Sequence, residues 1–531
     1  MNLLNDPWIP IQRQNGDLEN IAPWQIAETY NPVMKLASPR HDFDGVLIQF
    51  LIGLLQTVCM PVDHDSWVDW LENVPDVEEL KLKFEVFKEA FEVDGDGPRF
   101  MQDLEEFDGE PKPISGLLLE APGNRTSTLF LDHFVKGGLY SGLCPCCAVS
   151  ALFALQTNAP SGGAGHRTSL RGGGPLTSLI IPDTQAKNSL PDTLWTLLWL
   201  NVLDEQSLSR LSGNSELNEK QNIFPWLANT LTSEVKTGVA TSPEQAHALQ
   251  MYWAMPRRIR IDWQSEKFGT CDLCGTKNQL LITNYITKNY GPNYIGGWQH
   301  PLSPHYEEKK TNALLPMHAQ PGGLAYRYWL AWTGGGGQYL PAKIVSMYMS
   351  GQERHLDGEQ IRLWVFGYDM DNMKARCWYE KQYPLFVIED EKQRMDFSQR
   401  VSAMIDLASQ IASFVQSCVK EAWFDRPADA RGDTSFLKEA FFEQTESQFL
   451  IQLNELRASV AVGETRSILQ QWHEQLAHHA MRLFDHWVAK GDVAFDDPRR
   501  ISEAHRKLRN LIHGKKMMQK LGISKNKEKA V

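Results

Sequence analysis

The sequence predicts an α+β protein in two parts: a large mixed N-terminal domain over residues 1–385, with a site split between two cysteine knuckles, and a C-terminal four-helix bundle over residues 386–531. Three observations predict it. The chain has 531 residues, beyond the roughly 250–300 at which one hydrophobic core stops growing. Past Phe386, Gly and Pro thin out and apolar residues begin to recur every three and four positions, the period of an amphipathic helix. Four cysteines stand as two pairs, Cys144/Cys147 and Cys271/Cys274, each spaced by two residues.

In chain order, Trp8–Gln12 and Leu18–Ile21 flank Asn15-Gly16, which reads as a small hairpin at a sheet edge. Helices are expected near 43–60, 64–73, 78–92, 147–157 and 191–203, and short strands at Leu176–Ile181, Arg257–Asp262 and Arg362–Phe366. Strands and helices do not alternate regularly, so the class is α+β rather than α/β. The most apolar segment, Phe43–Met60, follows Asp42 and Asp44 and is interrupted by Gln49, Gly53 and Gln56. It suits a buried helix, not a membrane span. In the C-terminal part, breaks near 426–434, 462–464 and 490–498 divide four helical stretches. Their apolar stripes include Met404, Leu407, Ile411 and Phe414, then Phe449, Leu453 and Leu456, then Leu469, Trp472, Leu476 and Met481. Gly334–Gly337 reads as a flexible loop.

Hydrophobic residues make up 42% and charged residues 22%, with 17 Trp, an ordinary globular composition with much aromatic surface to bury. The net charge of −12 argues against a free-standing nucleic-acid binder. Residues 499–531, however, hold eleven Lys or Arg against Glu503 and Glu528, so any contact with DNA is local. Met1–Pro7 has no basic region followed by an apolar run, so no signal peptide is expected. A cytoplasmic location is.

In such a chain, paired cysteines favour metal over disulfides. Four thiolates make a closed tetrahedral zinc site with no open position for water, and hence a structural one. The knuckles are separated by residues 148–270, a wider gap than a compact zinc ribbon shows, and Cys146 competes with Cys144 and Cys147 as a first-knuckle ligand. Two unrelated pairs, or a redox Cys-x-x-Cys, are the alternatives to this split zinc-knuckle site. After the first knuckle comes Pro160–Gly174, rich in glycine and carrying Arg167 and Arg171. Glycines let backbone approach a ligand and arginines meet phosphate, although a plain surface loop explains the segment equally well. It has neither Walker nor dinucleotide-fingerprint spacing. Gly367–Arg376 reads as a projecting polar turn between strands; the calcium-loop pattern is incomplete there. No zincin, nucleophile-elbow or Ser-x-x-Lys arrangement sits in its required context, so no catalytic residue is assigned. Arg40-His41-Asp42 reads as a helix start.

Several of these features resemble the CasA family, the large subunit of type I-E CRISPR Cascade. They are Asn2-Leu3-Leu4 with Asp6 and Trp8-Ile9-Pro10, the paired knuckles, the glycine loop ending in Leu170-Arg171-Gly172-Gly173, and Gly367–Lys374. They occur in the family's order along essentially the whole chain. The resemblance implies a non-enzymatic subunit of a crRNA-guided complex that reads the PAM of duplex DNA through the minor groove. It then wedges the duplex open for R-loop formation and recruits a helicase-nuclease in trans. Carried over by position, the PAM loop falls on Gly162, Gly163, Ala164 and Gly165 with Arg167, and the wedge on Asp371, Asn372 and Met373. The lysine finger falls on Lys288, one residue from the family position at Asn289. A loop that docks on the crRNA 5′ end and its neighbouring subunit falls on His133, Phe134, Val135 and Lys136. Structural Zn2+ falls on Cys144, Cys147, Cys271 and Cys274. Implied partners are crRNA, the backbone, small and 5′-end subunits, PAM-bearing double-stranded DNA and the helicase-nuclease. The rival readings are a zinc-containing nucleic-acid-processing enzyme and a purely structural scaffold subunit.

Overall fold

The structure, a computed structural model, describes residues 1–121, 139–163, 165–186, 189–334, 338–349, 356, 361–371, 374–429, 431–460, 466–490 and 497–520. The chain forms two compact units, the first from 1–321 and 337–387 and the second from 322–336 and 388–531. Residues 322–336 therefore leave the first unit to pack with the C-terminal helices, an excursion with no sequence signal.

The first unit opens with β1 (Ile9–Arg13), β2 (Leu18–Ile21) and β3 (Val33–Leu36), in the order β2-β1-β3. The expected hairpin forms with Gly16 at φ +92° in its turn, but β1 is a central strand, because β3 pairs on its other side. Next come α1 (His41–Val58), α2 (His64–Glu72) and α3 (Val77–Glu85). Helix α1 is the hub. Every residue from Phe43 to Gln56 except Asp44 is buried, and Phe50 meets Trp8, Phe91, Phe100, Phe153 and Trp253 edge to face at centroid distances of 5.3–6.0 Å. Edge-to-face pairs bring the positive ring edge to the negative face and hold a unique packing. The polar interruptions of α1 have structural reasons. Gln56 exchanges two hydrogen bonds with the Leu203 backbone at 2.7 and 2.9 Å, and Gly53 lets the Tyr252 and Trp253 side chains approach to within 3.3 Å of a would-be Cβ.

Helix α4 (Pro145–Asn158) follows, then β4 (Thr177–Pro182), α5 (Leu194–Trp199) and a long hairpin of β5 (Arg258–Gly269) and β6 (Gln279–Lys288). The expected strand at Arg257–Asp262 is thus only the first half of β5. A second hairpin, β7 (Ile361–Asp371) and β8 (Lys374–Pro384), pairs through β7 with β4. All these pairings are antiparallel, in keeping with α+β.

The second unit is helical: α6 (Glu391–Trp423), α7 (Phe436–Val460), α8 (Arg466–Ala489) and α9 (Pro498–Ile512), with α6 packed against each of the others. On α6 the buried residues Phe397, Val401, Met404, Ala408, Ile411, Val415 and Cys418 recur at three- and four-residue spacing. The stripe read from sequence is off by one at three places, since Val415 rather than Phe414, Ile468 rather than Leu469, and Ala480 rather than Met481 is buried. From the 322–336 excursion, Tyr326 stacks on Phe449 at 4.2 Å and its hydroxyl meets Thr445 Oγ1 at 2.9 Å. Among the described residues no helix is long and apolar enough to cross a membrane.

Candidate zinc centre and nucleic-acid interface

Cys144 caps the N-terminus of α4 and Cys147 lies in its first turn, so the Cys-x-x-Cys spacing turns both side chains toward one point. The other pair sits in the turn of the β5–β6 hairpin, closed by Cys271 N–H to Thr276 O at 3.0 Å and Gly275 N–H to Cys271 O at 3.0 Å, with Gly275 at φ +71°. A hairpin turn is not the strand-to-helix setting of a redox pair. The two knuckles are stitched together by backbone. Leu143 and Ile282 exchange hydrogen bonds at 2.8 and 3.0 Å, and Asp272 Oδ2 accepts from the Ser141 and Gly142 amides at 2.6 and 2.9 Å.

The result is a group of four thiols, Cys144, Cys147, Cys271 and Cys274, whose sulfurs all lie within 4.8 Å of one another. No disulfide joins them. Tetrahedral zinc with bonds of about 2.3 Å separates its sulfurs by about 3.8 Å, and Cys144 Sγ lies 3.7 Å from Cys274 Sγ. The Cys144 amide donates to Cys271 Sγ at 3.3 Å, the kind of outer contact that steadies a thiolate. Hydrogen bonding to Cys147 pulls the Cys274 thiol below its usual range, while its bonds to the other three thiols push Cys147 up; too many protons compete for one small space. The residues fit a divalent zinc ion, and four sulfur donors leave no ligand position open for hydrolysis. Cys146 is outside the group.

From this cluster two rods run side by side: α4, about 21 Å long at 1.5 Å per residue, and β6, against which it packs. Both lead to the glycine loop. It starts just past α4, exposed at Ser161, Gly162 and Gly163, and returns at Gly165, whose carbonyl accepts the Tyr290 amide at 2.7 Å. Gly163 and Gly165 adopt φ +85° and +79°, where a side chain is strained. A Cβ at Gly165 would stand 2.9 Å from Asn289 Cβ and the Tyr290 ring, whereas Gly163 faces open space. Lys288, at the end of β6 and opposite Arg258, is exposed, and Asn289 lies against the loop at Gly165. The structure thus brings together the loop, Lys288 and the alternative position Asn289. Arg167 is engaged within the protein: its Nε and Nη2 donate to Ser233 Oγ and O at 2.7 and 2.9 Å. Ala164 lies outside the described residues.

Three positioning residues carried no sequence signal. Arg257 donates to the Pro160 carbonyl beneath Gly162; Ser233 donates to Gly291 O at 2.6 Å while holding Arg167; Tyr290 closes the loop. Each is an isolated polar residue recruited by the fold.

Asp371 ends β7, exposed and paired in register with Lys374; Arg376 reaches Asp369 at 2.7 Å and Asp371 at 3.9 Å. These contacts occupy the carboxylates that a calcium loop would use. Asn372 and Met373 lie outside the described residues, as do His133, Phe134, Val135 and Lys136. The basic C-terminal stretch is partly neutralised, since Arg499 pairs with Glu503, Arg500 with Asp425 and Lys507 with Glu421.

Comparison with known proteins is decisive at the family level. The family described as CRISPR-associated protein Cse1 matches residues 2–483. The chain belongs to the Cse1 family. Solved structures share its fold: CasA from Thermus thermophilus at TM-score 0.65 and 15% identity, covering 96% of this chain and 99% of that one; and Cse1 from Thermobifida fusca at 0.66 and 14%, covering 99% and 98%. A chain of a structure described as a CRISPR RNA-guided surveillance complex aligns at 0.65 and 13%, covering 96% and 99%. At such identities the likeness concerns fold, and that fold is shared nearly end to end with these chains.

Proposed function

We propose that this chain is the large subunit of a crRNA-guided type I-E Cascade complex, a binding subunit without catalysis of its own that reads the PAM in duplex DNA and opens the duplex beside it. The observation that carries the reading is the juxtaposition of an exposed glycine loop with Lys288 and Asn289, at the end of two rods joined by a four-thiol knuckle. Backbone glycines fit the narrow minor groove, and a lysine supplies phosphate or base-edge contact there. The degenerate pattern of that groove suits a short, permissive signal, while guide pairing reads the rest. Family membership supports the role, as does the shared fold with a chain of a surveillance complex.

In this reading zinc fills the four thiols and fixes loop and finger in register. The β7–β8 turn, with Asp371, Asn372 and Met373, is the wedge; residues 133–136 dock on the crRNA 5′ end and the 5′-end subunit. The second unit acts as a four-helix bundle facing the small subunits, and the assembled complex recruits a helicase-nuclease in trans. The partners are crRNA, the backbone and small subunits, and PAM-bearing DNA, in the cytoplasm.

The test is a complex assembled with Lys288→Ala, Asn289→Ala or Asn372→Ala and challenged with duplexes that differ only in the PAM, at fixed salt. Selective loss of discrimination between PAMs, with assembly intact, is expected for the first or second and for the third. Unchanged discrimination in all three would favour a scaffold role, and metal-dependent cleavage by the purified chain would favour an enzyme.

A further inference from the structure

Arg171 lies at the C-terminal end of the glycine loop and is 3% exposed. Its guanidinium donates to Ser303 Oγ at 2.8 Å, Thr177 Oγ1 at 2.8 Å, Leu176 O at 3.1 Å and Gln49 Oε1. Every one of these acceptors is neutral, and among the described residues no carboxylate acts on it. A buried guanidinium without a counter-charge is strongly unfavourable. Burial pushes its pKa down to about 9, and its charge adds to burial in holding His300 and His305 well below the usual histidine range.

Beside it lies a cavity of about 20 Å3 whose walls include Arg171, Tyr252, His300, Gln49, Gln156 and Ser169. Tyr252 is 6% exposed and its hydroxyl has no hydrogen-bond partner. His300 Nδ1 accepts the Leu302 amide at 3.2 Å, which leaves the neutral ring's proton on Nε2 as a donor. Among the other polar walls, Gln49 Nε2 is spent on Gly45 O, Gln156 Nε2 on Met101 O and Arg257 O, and Ser169 Oγ on Gly172 O; the hydroxyl-bearing Thr157 lines the cavity as well. Of the five guanidinium N–H groups, one on Nη1 has no protein acceptor among these contacts. What the cavity presents is therefore unused donors and uncompensated positive charge. Its volume exceeds the ~10–15 Å3 that a single water needs. A water would accept one donor but leave the charge.

We propose that this cavity binds one small inorganic monoanion of the halide class, held by Arg171, the Tyr252 hydroxyl and His300 Nε2–H. The site is built into the foot of the glycine loop, because Arg171 also ties the Ser169–Gly172 turn to the start of β4 through Leu176 and Thr177. It stands independently of the function proposed above.

The test uses the full chain purified in sodium gluconate and titrated with sodium bromide at constant ionic strength, with thermal unfolding as the readout and anomalous diffraction from bromide-soaked crystals alongside. The expected result is a saturable rise in melting temperature and a bromide peak in the cavity. Tyr252→Phe removes only an unpartnered hydroxyl, so in gluconate it should melt at or above the wild type, while its half-saturating bromide rises about tenfold. A cavity that holds only water, or a bromide response that is unsaturable and identical in Tyr252→Phe, would overturn the proposal.

Discussion

Replacing Cys271 by Ser removes one of the four thiols that would hold zinc and tests the knuckle as the clamp of the first unit. Two costs follow from the structure. The buried Cys144 amide loses its sulfur acceptor at 3.3 Å, worth about 1–3 kcal/mol if nothing replaces it; the serine hydroxyl recovers part. The larger cost is the cross-link. Cys147 and Cys271 bracket residues 148–270, and closing a span of that order is worth about 4–5 kcal/mol in chain entropy. Because Leu143 still pairs with Ile282, part of that closure survives, and we expect a loss of about 4 kcal/mol. Hydrogen exchange reads it locally. Amides of 145–165 and 279–290 should exchange faster by two to three orders of magnitude in Cys271→Ser or after chelation, while those of α6 and α7 stay protected. Metal analysis of the same samples should fall from one zinc per chain toward zero. Unchanged exchange in these two segments, with zinc absent from the wild type, would refute the clamp.

Other expectations follow from the same geometry. Gly165→Ala should cost about 1–3 kcal/mol, from positive φ and from a Cβ at 2.9 Å to Asn289 and Tyr290; Gly163→Ala, in open space, should cost about 1 kcal/mol. Chemical denaturation separates the two. Trp253→Ala empties the centre of the aromatic cluster, where the ring is 0% exposed, and should cost about 3–5 kcal/mol. His305, pushed by burial down to about 4, is neutral in the folded state and titrates near 6.5 when unfolded. The unfolded chain then binds the extra proton between pH 6.5 and 4, so stability falls with acidification across that window by about 3 kcal/mol. His305→Asn should flatten that part of the pH–stability curve, and an unchanged slope would contradict the assignment.

Where one strong local signal sufficed, the sequence was readable. The α1 run, the two cysteine pairs, the Asn15-Gly16 turn and the 3.6-residue stripe past Phe386 each follow from a short-range rule. What was hidden depends on distant partners. Leu469 and Ile468 are equally apolar, so only the packing of α8 decides which is buried. Of the β5–β6 hairpin the sequence shows only the first half of β5 and none of β6, because the outer part of β5 is largely polar and is held by pairing with β6 from Glu266 to Gly269 rather than by a buried face. Arg167 looked like a phosphate ligand, and the structure gives its guanidinium to Ser233, sixty-six positions away. Arg257, Tyr290 and Ser233 support the loop, but only because the chain folds back upon it. The excursion of 322–336 into the helical unit was unreadable for the same reason, since Tyr326 is one aromatic among many until Phe449 is beside it.

That this subunit makes DNA recognition depend on the PAM is tested most directly by binding labelled duplexes, matched to the guide and differing only in the PAM, to crRNA complex assembled with and without this chain at one salt concentration. PAM-dependent R-loop formation is expected only when the chain is present. Equal binding and equal PAM dependence with and without it would contradict that role.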